Sequence, residues 1–140
     1  MRVRFVNPET LYMELQSYFP IHADLMKFLD INACWEYCIT NDDINDVTIK
    51  LHFFLQKKDE NSLIMTRQDS NIKSDLILYF TEKAILQLIE GNPSAEEYFH
   101  RYHEIMNNPK LSIEVDNKVN KPRLVLWKLG YKKWQAAFKF

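Results

Sequence analysis

Glycine is nearly missing from this 140-residue chain: Gly91 and Gly130 are the only two. A phosphate-cradling loop needs several glycines close together, so that class of nucleotide site is excluded. Cysteine is as sparse. Cys34 and Cys38 lie in a strand-like setting, Cys34-Trp35-Glu36-Tyr37-Cys38-Ile39-Thr40. Four residues of strand span roughly 13 Å, too far for a disulfide or a shared metal, and both are expected reduced and buried. No apolar run approaches the ~20 residues of a membrane span. The first residues, Met1 to Asn7, lack the apolar core of a signal peptide, and Phe138-Lys139-Phe140 carries no lipidation or retention signal. A cytoplasmic location is the resulting expectation. A net charge of -1, from 18 basic and 19 acidic residues, gives no electrostatic case for nucleic acid.

What is present is bulk: 46% of the residues are hydrophobic and 14% aromatic. Asn7-Pro8 reads as an N-cap followed by proline at the first helical position. Leu11, Tyr12, Leu15, Tyr18 and Phe19 then share an arc of about 120°, and Ala23 to Leu29 reads as a second short helix. Strands are predicted at Cys34–Thr40, Val47–Leu55 and Ser62–Arg67. Asn41 to Asp46 is a turn, and Lys57 to Asn61 a charged hairpin connection. After a polar loop, Gln68 to Lys73, the run Ser74 to Phe80 is apolar on both faces of a strand.

Thr81 to Glu90 is the next helix. Its Ala84, Ile85, Leu86, Leu88 and Ile89 cover about 200° of the wheel, twice what one sheet contact needs. Ser94 with Glu97 gives a capping box for a helix whose apolar arc is Ala95, Tyr98, Phe99, Tyr102, Ile105 and Met106. Leu111–Val115 and Leu124–Leu129 read as further strands with a turn at Asp116–Lys121. Tyr131, Trp134 and Phe138 read as a terminal amphipathic helix. The expectation is one α+β domain over 1–140: N-terminal helices (1–30), sheet and central helices (34–129) and a C-terminal helix (131–140). Its sheet is mostly antiparallel, with helices on one face.

Catalytic and metal motifs do not emerge. Glu97, His100 and Glu104 share a helix face, but the spacing around His100 and His103 matches no zinc-protease helix, and the face reads as solvated. No enzyme activity, cofactor or metal is expected. Lys118, Lys121, Arg123, Lys128, Lys132, Lys133 and Lys139, interleaved with Trp127, Tyr131 and Trp134, admit transient contact with anionic headgroups. The plainer reading is a solvated edge, with Lys discouraging edge pairing.

Ser74-Asp75-Leu76-Ile77-Leu78-Tyr79-Phe80-Thr81, Ala84 through Pro93, and Ala95-Glu96-Glu97-Tyr98-Phe99 together resemble the sterol carrier protein 2 (SCP2-like) domain family. That family has a small residue and Asp leading an apolar strand, a helix ending in Gly, and a Pro turn into an aromatic-bearing helix. Element order extends the likeness over 33–133. The chain departs from the family after Phe99, where the helix continues to Met106 and Leu111 to Asp116 contains no Gly. The resemblance implies a five-stranded sheet covered by helices, with an apolar tunnel for a fatty acyl chain, sterol or similar lipid.

The candidate wall residues are Leu76, Leu78, Phe80, Ile85, Leu88, Ile89, Tyr98, Phe99, Tyr102 and Trp127. Even rather than odd strand positions are taken as inward, although Ile77 and Tyr79 are apolar too. On spacing alone the aromatic stripe Tyr98, Phe99, Tyr102 is more often plain core than a ligand wall. The rival reading is a filled-core module that forms a homo-oligomer, or meets a protein partner, through an exposed patch of Tyr131, Trp134 and Phe138.

Overall fold

The computed structural model describes residues 6–67 and 73–140. Met1 to Phe5 and most of the loop read over Gln68–Lys73 lie outside the described residues. The first helix, α1 (Pro8–Gln16), starts where the sequence places it: the Asn7 side chain accepts from Thr10 N at 2.8 Å. Two short 3-10 turns follow, Phe19–Ile21 and Ala23–Met26, in place of a continued first helix and a second one. Pro20 has no N–H to continue an α-helix.

Five strands form one sheet: β1 (Cys34–Thr40), β2 (Leu51–Asp59), β3 (Ser62–Thr66), β4 (Leu76–Thr81) and β5 (Val115–Val119), in the order β3-β2-β1-β4-β5. The central β1–β4 pair is parallel and the other three pairs are antiparallel. The fold is α+β with a mixed sheet.

Register explains why this sheet has one greasy face. Trp35, Tyr37 and Ile39 lie opposite Leu55, Phe53 and Leu51 on one side and Leu76, Leu78 and Phe80 on the other. Because side chains alternate along a strand, these rungs all point the same way. Tyr37 is stacked between Phe53 (4.6 Å, 9°) and Phe80 (5.5 Å, 12°). Helices α2 (Glu82–Ile89), α3 (Ala95–Asn107), α4 (Arg123–Lys128) and α5 (Tyr131–Phe138) complete the fold. Tyr98 and Phe99 of α3 and Trp134 of α5 bury their rings against this face.

Helix ends are chemically specified. Ser94 Oγ accepts from Glu97 N at 3.2 Å, while the Glu97 carboxylate turns to Arg101. Arg101 in turn donates to the carbonyls of Gln87, Leu88 and Glu90, so it ties the C-terminus of α2 to α3. Gly130, at φ +101°, is the position where glycine is required. A Cβ there would meet the Phe28 carbonyl oxygen at 2.1 Å.

Four expectations are corrected. Leu124–Leu129 is not a strand. It is the helix α4, with only Leu126 of the six residues Arg123–Lys128 buried. A short apolar run has no period that separates strand from helix, and the sheet edge beside β4 is already taken. That edge strand is β5, in what reads as a turn, whereas Leu111 is 95% exposed outside any strand. Its Asp116, Asn117 and Lys118 suit an edge that must not recruit further strands. The second strand begins at Leu51 rather than Val47, which is 97% exposed. Lys57 is no hairpin residue: it is buried in β2, where its Nζ donates to the carbonyls of Leu29 (2.7 Å) and Met26 (3.3 Å) and pairs with Glu60.

Candidate ligand cavity

Between the sheet and the C-terminal helices lies a cavity of about 460 Å³. The sheet contributes Trp35, Tyr37, Leu76, Leu78, Phe80, Asn117 and Val119. Helix α3 contributes Tyr98, Phe99 and Tyr102. The C-terminal segment adds Leu126, Trp127, Tyr131, Trp134 and Phe140, with Lys121, Arg123 and Gln135 supplying polar groups. Two of the register rungs build the floor: Trp35–Leu76–Val119 and Tyr37–Leu78–Asn117.

One wall is fixed by a buried polar chain. Trp35 Nε1 donates to the Tyr131 hydroxyl (2.9 Å), which donates to Asp75 Oδ2 (2.6 Å). The same carboxylate accepts from Cys34 N (3.1 Å) and is neutralised by Lys121 (2.5 Å). Asp75 is fully buried, and these partners are what makes a buried carboxylate tolerable. It locks β1, β4, the segment before α4, and α5 around the same end of the cavity.

The tyrosines in the lining are neutral hydrogen-bonding groups at ordinary pH. Burial pushes Tyr102 up to about 12, even though Asn117 Nδ2 donates to its hydroxyl at 2.9 Å. Burial likewise holds Tyr37, Tyr98 and Tyr131 above the usual phenol range, the last with added repulsion from Asp75. The Tyr37 hydroxyl sits beside Tyr98 but finds no partner in hydrogen-bonding geometry, although the side chain is fully buried.

Of the ten wall residues expected from sequence, Leu76, Leu78, Phe80, Tyr98, Phe99, Tyr102 and Trp127 stand around this cavity. Ile85, Leu88 and Ile89 do not. The first two are fully buried in packed core, and Ile89 lines a separate shallow cleft with Leu86, Tyr18 and Ile21. The buried part of the α2 stripe packs into the core beside α3 and β4, while Leu86 and Ile89 border the cleft. Trp35 and Tyr37 were missed, although their parity with Leu76 and Leu78 follows once β1 and β4 are paired. Tyr131, Trp134 and Phe138 are buried at 4%, 6% and 7% exposure, so the exposed oligomerisation patch expected from them is absent. On α3, His100 and Glu104 form an exposed pair at 3.2 Å.

The exposed surface next to the cavity is both apolar and basic. Val119, Leu124, Val125 and Trp127 are 62%, 69%, 40% and 42% exposed. The Arg123 guanidinium and Lys132 Nζ lie 4.7 and 5.4 Å from the Trp127 ring. Among the described residues no helix is long and apolar enough to cross a membrane. No known family model matches the chain, and no curated protein matches it.

Proposed function

We propose that the protein binds a hydrophobic ligand non-catalytically, a fatty acyl chain, a sterol-like molecule or another lipid, and carries it in the cavity between sheet and helices. The observation that carries this reading is the cavity itself. At about 460 Å³ it falls within the roughly 300–1,000 Å³ of small-molecule sites, which are typically apolar with a few placed polar groups. Burying about ten methylenes yields roughly 8 kcal/mol before ordering costs, enough for useful affinity without any charged contact. The likeness of Ser74–Phe99 to the SCP2-like family supports the same reading, and seven of the side chains inferred with that likeness border the cavity.

The apolar and basic rim supports loading from an anionic membrane surface. Trp127, Leu124 and Val125 suit the headgroup boundary, while Arg123, Lys128 and Lys132 are each worth about 1 kcal/mol near anionic lipid. Native mass spectrometry of protein purified without detergent is expected to show an adduct of lipid mass, and the protein is expected to take up a fluorescent fatty acid. A bare polypeptide mass together with no uptake would overturn the proposal. Flotation with phosphatidylserine vesicles tests the rim: binding is expected to weaken with salt and to be lost in Lys128→Glu/Lys132→Glu. Equal binding to neutral vesicles would remove the electrostatic part.

A further inference from the structure

Among the described residues, the sheet's other face holds one cluster of unlike donors. Cys38 of β1 lies directly opposite His52 of β2 in the antiparallel ladder. Glu36 precedes Cys38 by two residues, so its side chain points the same way. One ligand atom from each of Glu36, Cys38 and His52 falls within 4.8 Å of the other two. His52 Nε2 and Glu36 Oε2 are already 2.8 Å apart.

We propose that Glu36, Cys38 and His52 form a three-ligand site for Zn²⁺ or a similar borderline divalent transition ion, with a fourth position open to solvent. An ordinary surface ion pair would need only the carboxylate and the imidazole. The sulfur beneath them adds a soft donor, and the set of one S, one N and one O matches the ligands zinc takes. Metal–ligand bonds of about 2.0–2.3 Å in tetrahedral geometry separate donor atoms by roughly 3.3–3.6 Å. Small rotamer changes reach that spacing from the present one.

Charge also balances, because a thiolate and a carboxylate neutralise the dication. Cys38 gives up its thiol proton to solvent as the sulfur–metal bond forms. Outer support is in place. Ser74 Oγ donates to Glu36 Oε1 at 3.0 Å, and Asn120 Nδ2 donates to Ser74 Oγ at 3.0 Å. These bonds fix one carboxylate oxygen and leave Oε2 for the ion. The Phe54 ring stands edge-on to His52 at 5.0 Å and orients the imidazole. The His52 side chain is 42% exposed and that of Glu36 23%, which gives the ion a path in and water a place at the fourth position. Cys38, at 5% exposure, forms the floor.

The site lies on the opposite face from the cavity and stands or falls independently of lipid binding. The test is titration of the reduced full-length protein with Co²⁺, followed by displacement with Zn²⁺. One equivalent of Co²⁺ is expected to produce a thiolate-to-cobalt charge-transfer band that Zn²⁺ abolishes. Cys38→Ser should lose the band. Cys34→Ser should keep it, because Cys34 lies four residues, roughly 13 Å, from Cys38 along β1 and is not among the clustered donors. His52→Gln, an exposed and structurally mild change, should weaken binding at least tenfold, and Ser74→Ala about tenfold. Circular dichroism checks that each variant is folded. No stoichiometric band in the wild type, a band surviving Cys38→Ser, or unchanged affinity in His52→Gln would overturn the assignment.

Discussion

Tyr131 joins two walls of the cavity through one oxygen atom, accepting from Trp35 and donating to Asp75. Removing that oxygen strands the indole N–H and takes a donor from a fully buried carboxylate. Tyr131→Phe should therefore cost about 2–3 kcal/mol, read as a lower urea midpoint with an unchanged slope. It should also alter Trp35 fluorescence. An unchanged midpoint would mean that the network holds nothing. Neither this contact nor the role of Lys57 was legible in the sequence. Tyr131 meets partners 96 and 56 residues away, and Lys57 meets carbonyls 28 and 31 residues away. Residue type signals such bonds only after the strands are in register. The caps at Asn7 and Ser94 were legible because their partners are three residues distant.

At the scale of elements, the β4–α2 junction is pinned by a buried ion pair, Lys50 Nζ to Glu82 Oε1 at 2.6 Å, with the side chains 8% and 4% exposed. Lys50→Met strips Glu82 of this cation and should destabilise by about 3–5 kcal/mol. The double variant Lys50→Met/Glu82→Met should recover most of that loss, because paired apolar replacements avoid the desolvation cost. Chemical denaturation of the three variants gives the coupling directly; additive losses would contradict it. Elements with strong periodicity or caps (α1, α2, α3, β1 and α5) were readable from sequence. The pair that exchanged identities, β5 and α4, was not. Val115 to Val119 shows no apolar alternation because it is an edge strand, and Leu124 to Trp127 looks like a strand because an apolar patch facing solvent copies the composition of a core.

The buried thiols and phenols of the whole molecule are held neutral, and this sets its response to alkali. Burial raises the Cys38 thiol from 9.0 to about 11 and the Cys34 thiol from 9.0 to about 12. Nearby Glu36 adds to the first shift and Asp75 to the second. Tyr102 moves from 10.0 to about 12. All three favour the protonated form in the folded state. The stability they confer is intact below about pH 9 and is lost as pH climbs through the folded values. The urea midpoint should therefore fall steadily between about pH 9 and about pH 11, and Cys34→Ala/Cys38→Ala should fall less steeply. A flat midpoint across that range would contradict the burial of these groups.

The overall architecture was largely legible: α+β, one greasy sheet face, helices upon it. The cavity's position was half legible. The aromatic stripe of α3 marks one wall; the floor needs the even face of β4 chosen, which a strand apolar on both faces does not decide, and the walls from α4 and α5 depend on a chain path that no local pattern encodes. The most direct measurement is a fluorescent fatty-acid titration of the wild type beside Leu78→Trp, which places an indole on the cavity floor, with circular dichroism to verify both folds. Saturable one-to-one uptake by the wild type, weakened at least tenfold in a folded Leu78→Trp, is the predicted result. No uptake by the wild type, or equal uptake by both proteins, would contradict ligand binding in this cavity.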